Sequence, residues 1–303
     1  MSYFLAIDAG GTKTECVLAN ETHELARARV GTIKLLRVGP EEAGRHLTSG
    51  LTDLAAVSGI DLRAVTRTCV GTSGARVPLV ADWIRDTLAA SVGGDILLCG
   101  DEEIALDAAF HGGGGVLVLA GTGSNVAGRT SGGRLTSAGG WGPVLDDVGS
   151  GFWIGHQAMR RAFRALDEAT PTLLIDQIRE HWKLASLADL IGYANGTPAP
   201  DFSRLTHIVA ACAAKGDVVA AEVLELGGRE LAYLAQLVIE RLRAMEGDGF
   251  ELPSIAIAGS ILGSVPAVRD AMTQALLAAY PGIQVLPEIV DPVLGALWRA
   301  RTG

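Results

Sequence analysis

The chain has 303 residues, enough for about two domains, and 49% of them are hydrophobic against 19% charged, a balance that excludes disorder and permits a packed core. Asp and Glu outnumber Lys and Arg by 34 to 25, for a formal net charge of −9; with no basic run, neither nucleic acid nor an anionic membrane surface finds an electrostatic footprint. Glycine is the anomaly, at 39 residues against a usual share of about 7%, with neither a collagen period nor the proline content of a linker.

In chain order, short aliphatic and β-branched runs predict strands over Tyr3–Asp8, Glu15–Ala19, Leu25–Val30, Thr66–Val70, Asp95–Cys99, Val116–Ala120, Ser254–Ala258 and Ile283–Leu286. Helical periodicity predicts Pro40–Val57, Val80–Ala90, Glu102–Phe110, Phe152–Leu166, Asp201–Ala214, Asp217–Ala244, Val265–Ala279 and Asp291–Arg301. Strands alternating with helices indicate an α/β fold. The first residues carry no basic n-region, Asp8 interrupts their apolar run, and no run approaches the roughly 18 apolar residues of a membrane span; the expectation is a cytoplasmic protein. Cys16, Cys69, Cys99 and Cys212 show no C-x-x-C pair and fit neither a zinc site nor a disulfide framework. Cys69 and Cys99, ending apolar runs, read as small buried hydrophobes.

Two segments are alike. Residues 5–18 (LAIDAGGTKTECVL) and 116–128 (VLVLAGTGSNVAG) each read as strand, Gly/Thr turn, strand. They suit two related domains, 1–110 and 111–288, with a final helix at 289–303 packing back on the first and Gly112–Gly115 as a flexible joint. Fifteen glycines lie between Gly112 and Gly155. Each would cost roughly 0.5–1 kcal/mol relative to alanine in a regular element, so stability alone does not account for them; tight turns and close backbone approach to a ligand do. The P-loop spacing is absent, and Gly121-Thr122-Gly123 lacks both the third glycine and the following helix of a dinucleotide fingerprint. What remains is a nest of backbone N–H groups with Thr and Ser hydroxyls, able to hold phosphate without net positive charge.

At these residues the sequence resembles the actin, sugar-kinase and chaperone ATPase superfamily, and within it the N-acetylglucosamine kinase group of the BadF/BadG/BcrA/BcrD ATPase family. Asp8 to Thr14 looks like the first phosphate motif and Ala120 to Asn125 like the second. Gly139-Gly140-Trp141-Gly142 and Asp147 to Ile154 are similar to the sugar-binding stretch, and Ala256 to Ser260 to the adenosine motif. Lys215-Gly216-Asp217 and Pro292 to Ala296 also have counterparts. The resemblance implies a two-domain, actin-like (ribonuclease H-like) α/β fold with a central cleft that closes on sugar, ATP and Mg²⁺ as cofactors, a small-molecule sugar as partner, and a homodimer.

It also implies roles. Asp8 would position Mg²⁺ through water; the alternative is a strand-end carboxylate satisfied by the turn. Gly10, Gly11, Thr12, Gly121, Thr122, Gly123 and Ser124 would contact phosphates, though Thr beside Gly is also good turn chemistry. Lys13 is either a phosphate contact or a solvated turn residue. Ala213, Gly259 and Ser260 would complete the nucleotide site. Asp101, ahead of a helix, aligns with the catalytic base, which orients an acceptor hydroxyl and takes its proton; an N-cap role is the alternative, and Glu102 or Glu103 could share the acidic role. Gly140, Trp141 and Asp147 would meet the sugar, with Asp146 a substitute, while Trp153 and His156 read as packing. Ser73 sits in another loop within reach of substrate. Lys34 stands where related kinases carry a sugar-binding asparagine, and an ammonium cannot accept a hydrogen bond.

The expected function is transfer of the γ-phosphate of ATP to the 6-hydroxyl of an amino sugar, foremost N-acetylglucosamine, with glucosamine, N-acetylmuramic acid and glucose as other acceptors. Two alternatives stand further off. One is an ATPase activator of a 2-hydroxyacyl-CoA dehydratase; the other is a ligand-sensing regulator.

Overall fold

Each glycine-turn segment folds as a β-hairpin, and each hairpin starts its own five-stranded sheet. The computed structural model describes residues 2–303. In chain order the first part holds β1 (Tyr3–Ala9), β2 (Lys13–Ala19), β3 (Glu24–Gly31), the single turn α1 (Leu35–Val38), α2 (Pro40–Ser58), β4 (Val65–Gly71), α3 (Pro78–Ala89), β5 (Asp95–Cys99) and α4 (Asp101–Phe110). The second holds β6 (Gly115–Ala120), β7 (Ser124–Arg129), β8 (Leu135–Gly139), α5 (Gly151–Asp167), α6 (Leu174–His181), α7 (Leu187–Ala194), α8 (Thr206–Ala214), α9 (Val218–Glu246), β9 (Ile255–Ala258), α10 (Ser260–Ser264), α11 (Pro266–Ala279) and β10 (Val285–Val290). The last helix, α12 (Pro292–Thr302), returns to the first part. Two units result: the residues up to Gly113 with Val290–Gly303, and Gly114–Ile289.

The sheets share one topology. Their strand orders are β3-β2-β1-β4-β5 and β8-β7-β6-β9-β10, with an antiparallel meander in each and a parallel partner beside the first strand, β4 on β1 and β9 on β6. In β1 the alternation of a strand sorts side chains to two cores. Leu5 and Ile7 join Leu47, Leu54 and Ile84 from α2 and α3, while Phe4 and Ala6 join Ile104, Val293 and Ala300 from α4 and α12. Both faces are covered, which is why the strand reads as a continuous apolar run. In the second unit α9 buries Leu224, Leu231, Leu234, Val238 and Leu242 in one stripe, each contributing about 1.5–3 kcal/mol.

Several elements differ from the sequence expectation. The predicted helix Asp201–Ala214 is a 3₁₀ turn, Phe202–Leu205, followed by α8, because the Asp201 carboxylate accepts the Ser203 N–H and sets a separate start. Pro266 occupies the first turn of α11, and α10 forms separately before it. The last strand lies at Val285–Val290 rather than Ile283–Leu286. Helices α6 and α7 have no counterpart in the prediction; each is eight residues, too short for a clear period. Of Gly112–Gly115, Gly115 already belongs to β6, and a Cβ on Gly112 would lie 3.1 Å from the Trp298 ring.

Candidate active site

In the first unit, Asp8 near the end of β1 pairs in register with Gly71 on β4, and Gly71 pairs with Cys99 on β5. Thr72 N–H donates to the Cys99 carbonyl at 2.9 Å. The carboxyl ends of three parallel strands therefore carry Asp8, Thr72–Ser73 and Gly100–Asp101 to one edge, the usual ligand-facing edge of an open α/β sheet.

The loop after β3 clasps the glycine turn beside them. Thr32 Oγ1 donates to the Gly10 carbonyl at 2.8 Å, Arg37 Nη1 donates to the Gly11 carbonyl at 2.6 Å, and the Ile33 N–H reaches Thr14 Oγ1 at 3.2 Å. With its carbonyls held, the turn leaves Thr12 exposed. The same loop delivers Lys34, whose Nζ donates to Ser73 Oγ at 2.8 Å and lies 3.6 Å from Asp101 Oδ2. Lys34 and Ser73, from two loops, and Asp101, at the start of α4, thus meet in space.

The N-cap alternative for Asp101 does not hold. Gly100 is the cap residue, its N–H donating to Glu103 Oε1 at 3.3 Å, and Asp101 is the first helical residue. Its carboxylate accepts the Glu102 N–H at 3.2 Å and faces Lys34. Lys13 stays exposed to solvent while its ammonium lies 2.9 Å from Glu15 Oε1, which Arg29 also contacts at 2.6 Å. Burial raises the Asp8 pKa to about 7, with the Asp101 and Asp291 charges adding and Lys34 opposing. A carboxyl so placed gains most from a cation. Among the described residues no three His, Cys, Asp or Glu side chains converge on a metal-sized site, so Asp8 suits an ion that keeps water and phosphate oxygens as its other ligands, as Mg²⁺ does.

The second unit builds its turn from backbone. The Gly151 N–H, at the start of α5, donates to the Gly121 carbonyl at 2.8 Å, and the Phe152 N–H to the Thr122 carbonyl at 3.3 Å. Ser124 Oγ donates to the Val148 carbonyl at 2.6 Å, and Ser150 caps α5 by accepting the Trp153 N–H. Thr122 is left exposed. Gly259 follows β9 at φ +92°, and a Cβ there would lie 2.2 Å from the Ala120 carbonyl oxygen; no other residue fits. This contact sets Gly259–Ser260 against the Ala120–Gly121 turn. Ala213 is half-buried near the end of α8 and packs against the core of the same unit.

Asp147 is buried, its Oδ1 accepting the Gly142 N–H at 3.0 Å, and its Oδ2 is so close to the Gly121–Gly123 turn that a Cβ on Gly123 would approach it to 2.6 Å. Burial, opposed by that backbone bond, raises its pKa. Gly140 and Trp141 sit in the turn that Asp147 closes, and Trp141 is 71% exposed. Trp153 and His156 pack: His156 stacks on Phe152 and meets Phe202 edge-on, and burial lowers its pKa. Sequence reading missed Thr32, Arg37 and Asp291, whose roles depend on which backbone or carboxylate they meet.

The chain belongs to the BadF/BadG/BcrA/BcrD ATPase family, whose model matches residues 5–300. It is 30% identical to an N-acetylmuramic acid/N-acetylglucosamine kinase of Clostridium acetobutylicum over all of this chain and 99% of that one. A Chromobacterium violaceum structure provisionally named an N-acetylglucosamine kinase superposes with a TM-score of 0.75 at 25% identity, covering 98% of each chain. A ROK family glucokinase from Streptomyces griseus shares the fold at 16% identity, with a TM-score of 0.59 over the full length of both. The architecture is the two-sheet, actin-like ATPase fold of sugar kinases. Among the described residues no helix is long and apolar enough to cross a membrane.

Proposed function

We propose that the protein is an ATP-dependent amino-sugar kinase that phosphorylates the 6-hydroxyl of its acceptor, foremost N-acetylglucosamine. The observation that carries this reading is the meeting of Lys34, Ser73 and Asp101 beside Asp8 and a clasped glycine turn. Asp101 orients the acceptor hydroxyl and takes its proton as the hydroxyl oxygen attacks the γ-phosphorus, the bond to the β-phosphate oxygen breaks and ADP leaves. Gly10, Gly11 and Thr12 in the first unit, and Thr122 and Gly123 in the second, are assigned as N–H and hydroxyl donors to phosphate, while Gly121 and Ser124 shape the second turn through the Gly121 N–H bond to the Gly123 carbonyl and the Ser124 hydroxyl bond to the Val148 carbonyl. Mg²⁺, held through Asp8, supplies charge compensation for the phosphates when bound. Lys13, half exposed beside Glu15, is assigned to the phosphates with the turn residues.

Gly259, Ser260 and Ala213 are assigned to the adenosine, and Gly140, Trp141 and Asp147 to the sugar. The homodimer and the cytoplasmic setting, where ATP is at hand, belong to the same reading. A coupled ADP-release assay with glucose, glucosamine, N-acetylglucosamine and N-acetylmuramic acid tests it. ADP release that depends on an amino sugar is expected; ADP release indifferent to every sugar would overturn the proposal.

A further inference from the structure

Two of the four cysteines, Cys16 and Cys212, are chemically quiet. Burial pushes the Cys16 thiol up to about 12, with Glu15 and Asp8 adding, and raises Cys212 as well. Cys69 and Cys99 differ because the fold brings them together. They sit on neighbouring parallel strands, β4 and β5, buried in the same cluster, with their sulfurs 3.8 Å apart.

A cation completes the group. Arg299, from α12, places Nη1 2.9 Å from Cys99 Sγ while its guanidinium also holds Glu103 at 3.1 Å and the buried Asp107 at 2.6 Å. The two carboxylates fix the guanidinium against the sulfur. The contact with Cys69, with Arg299 working against burial, lowers the Cys99 pKa, whereas the contact with Cys99 and burial raise that of Cys69. Cys99 also lines a cavity of about 440 Å³ with Leu97, Leu98, Trp298, Arg299 and Thr302. That cavity gives a small molecule a route to a residue that is itself only 7% exposed.

We propose that Cys69 and Cys99 form a peroxide-responsive dithiol, a modification site separate from the kinase chemistry. The Cys99 thiolate attacks the terminal oxygen of a hydroperoxide, the O–O bond breaks, and Cys99 becomes a sulfenic acid as hydroxide or alkoxide leaves and takes up from water the proton that the thiol lost on ionising. The Cys69 sulfur then attacks Cys99 Sγ; the S–O bond breaks, water departs with the Cys69 proton, and a disulfide joins β4 to β5. Two thiols are oxidised and one hydroperoxide is reduced. A low-pKa thiol beside a cation, with a second thiol in contact, is the arrangement such chemistry needs. Closing the sulfurs from 3.8 Å to the bond length of about 2.05 Å draws together the two strands whose ends carry Ser73 and Asp101.

The test is made on the intact protein at neutral pH, without reliance on kinase activity. After hydrogen peroxide and alkylation, peptide mapping is expected to show a linked Cys69–Cys99 pair, lighter by two hydrogens and reversed by dithiothreitol, with Cys16 and Cys212 reduced. In Cys69→Ser the reaction should stop at a dimedone-reactive sulfenic acid on Cys99. In Cys99→Ser, oxidation of Cys69 should slow by at least about tenfold. Equal oxidation rates at all four cysteines, or unchanged Cys69 oxidation in Cys99→Ser, would overturn the proposal. Should either variant fail to fold, competition among the four wild-type thiols decides it alone.

Discussion

The hairpin turns of the two units have the same topology and are held by opposite means. The first, Gly10–Thr12, is gripped by side chains: Thr32 and Arg37 hold its carbonyls, and Asp8, Asp101 and Lys34 stand around it. The second, Gly121–Gly123, is gripped by backbone: two N–H groups from the start of α5 hold its carbonyls, and Gly259 packs directly on Ala120. A side-chain site can lose a group and keep its shape. A backbone site cannot, because there the packing and the ligand surface are the same atoms.

The largest effect is expected in the first unit. Asp101→Asn should lower turnover by about 10²–10⁴-fold, the usual worth of a positioned base, and leave the melting temperature nearly unchanged, since Gly100 and not Asp101 caps α4. A loss confined to KM would remove Asp101 from that role.

The second unit should break differently. Gly259→Ala combines a left-handed φ with a 2.2 Å approach to a carbonyl oxygen, so it should cost at least about 2 kcal/mol of stability. A thermal melt reads this directly; a wild-type melting point with weakened ATP binding would show the second turn to be as tolerant as the first.

Smaller effects sharpen the charged half. The Lys34 ammonium stands 3.6 Å from Asp101; if it meets the acceptor as proposed, it would oppose a protonated 2-amino sugar and favour a carboxylate-bearing one. Lys34→Asn should therefore shift the kcat/KM ratio by about tenfold toward glucosamine and away from N-acetylmuramic acid, by removing a repulsion. An unchanged ratio would place Lys34 in a purely structural role. The smallest effect concerns pH. Asp8 titrates near 7 in the folded chain against 3.8 for an ordinary Asp, so between these values the folded state holds a proton that the unfolded state has released. Asp8 therefore makes stability fall as pH rises through that window. With chelator present, Asp8→Asn should flatten this slope, and a slope equal to wild type would exclude Asp8 as its source.

Much of this was legible from the chain itself. The two Gly/Thr turns, the strands flanking them and Asp101 at a strand end follow from short-range chemistry: apolar runs, glycine where turns are tight, a carboxylate before a helix. The Lys34 departure was also visible as a residue type in a motif. Its partners were not, because Ser73 and Asp101 lie 39 and 67 positions away and meet it only through strand order. Arg37 reads as one arginine among many until the Gly11 carbonyl is placed before it.

The cysteines draw the boundary most clearly. Sequence determined that four thiols exist, without zinc or disulfide spacing, and that Cys69 and Cys99 end apolar strands. Only tertiary structure decided that two of them touch and that Arg299, 200 residues beyond Cys99, lies against one. Hydrophobic periodicity and turn chemistry are local, so a sequence states them. The charge beside a thiol or a base is set by whichever distant residue the packed strands bring to it.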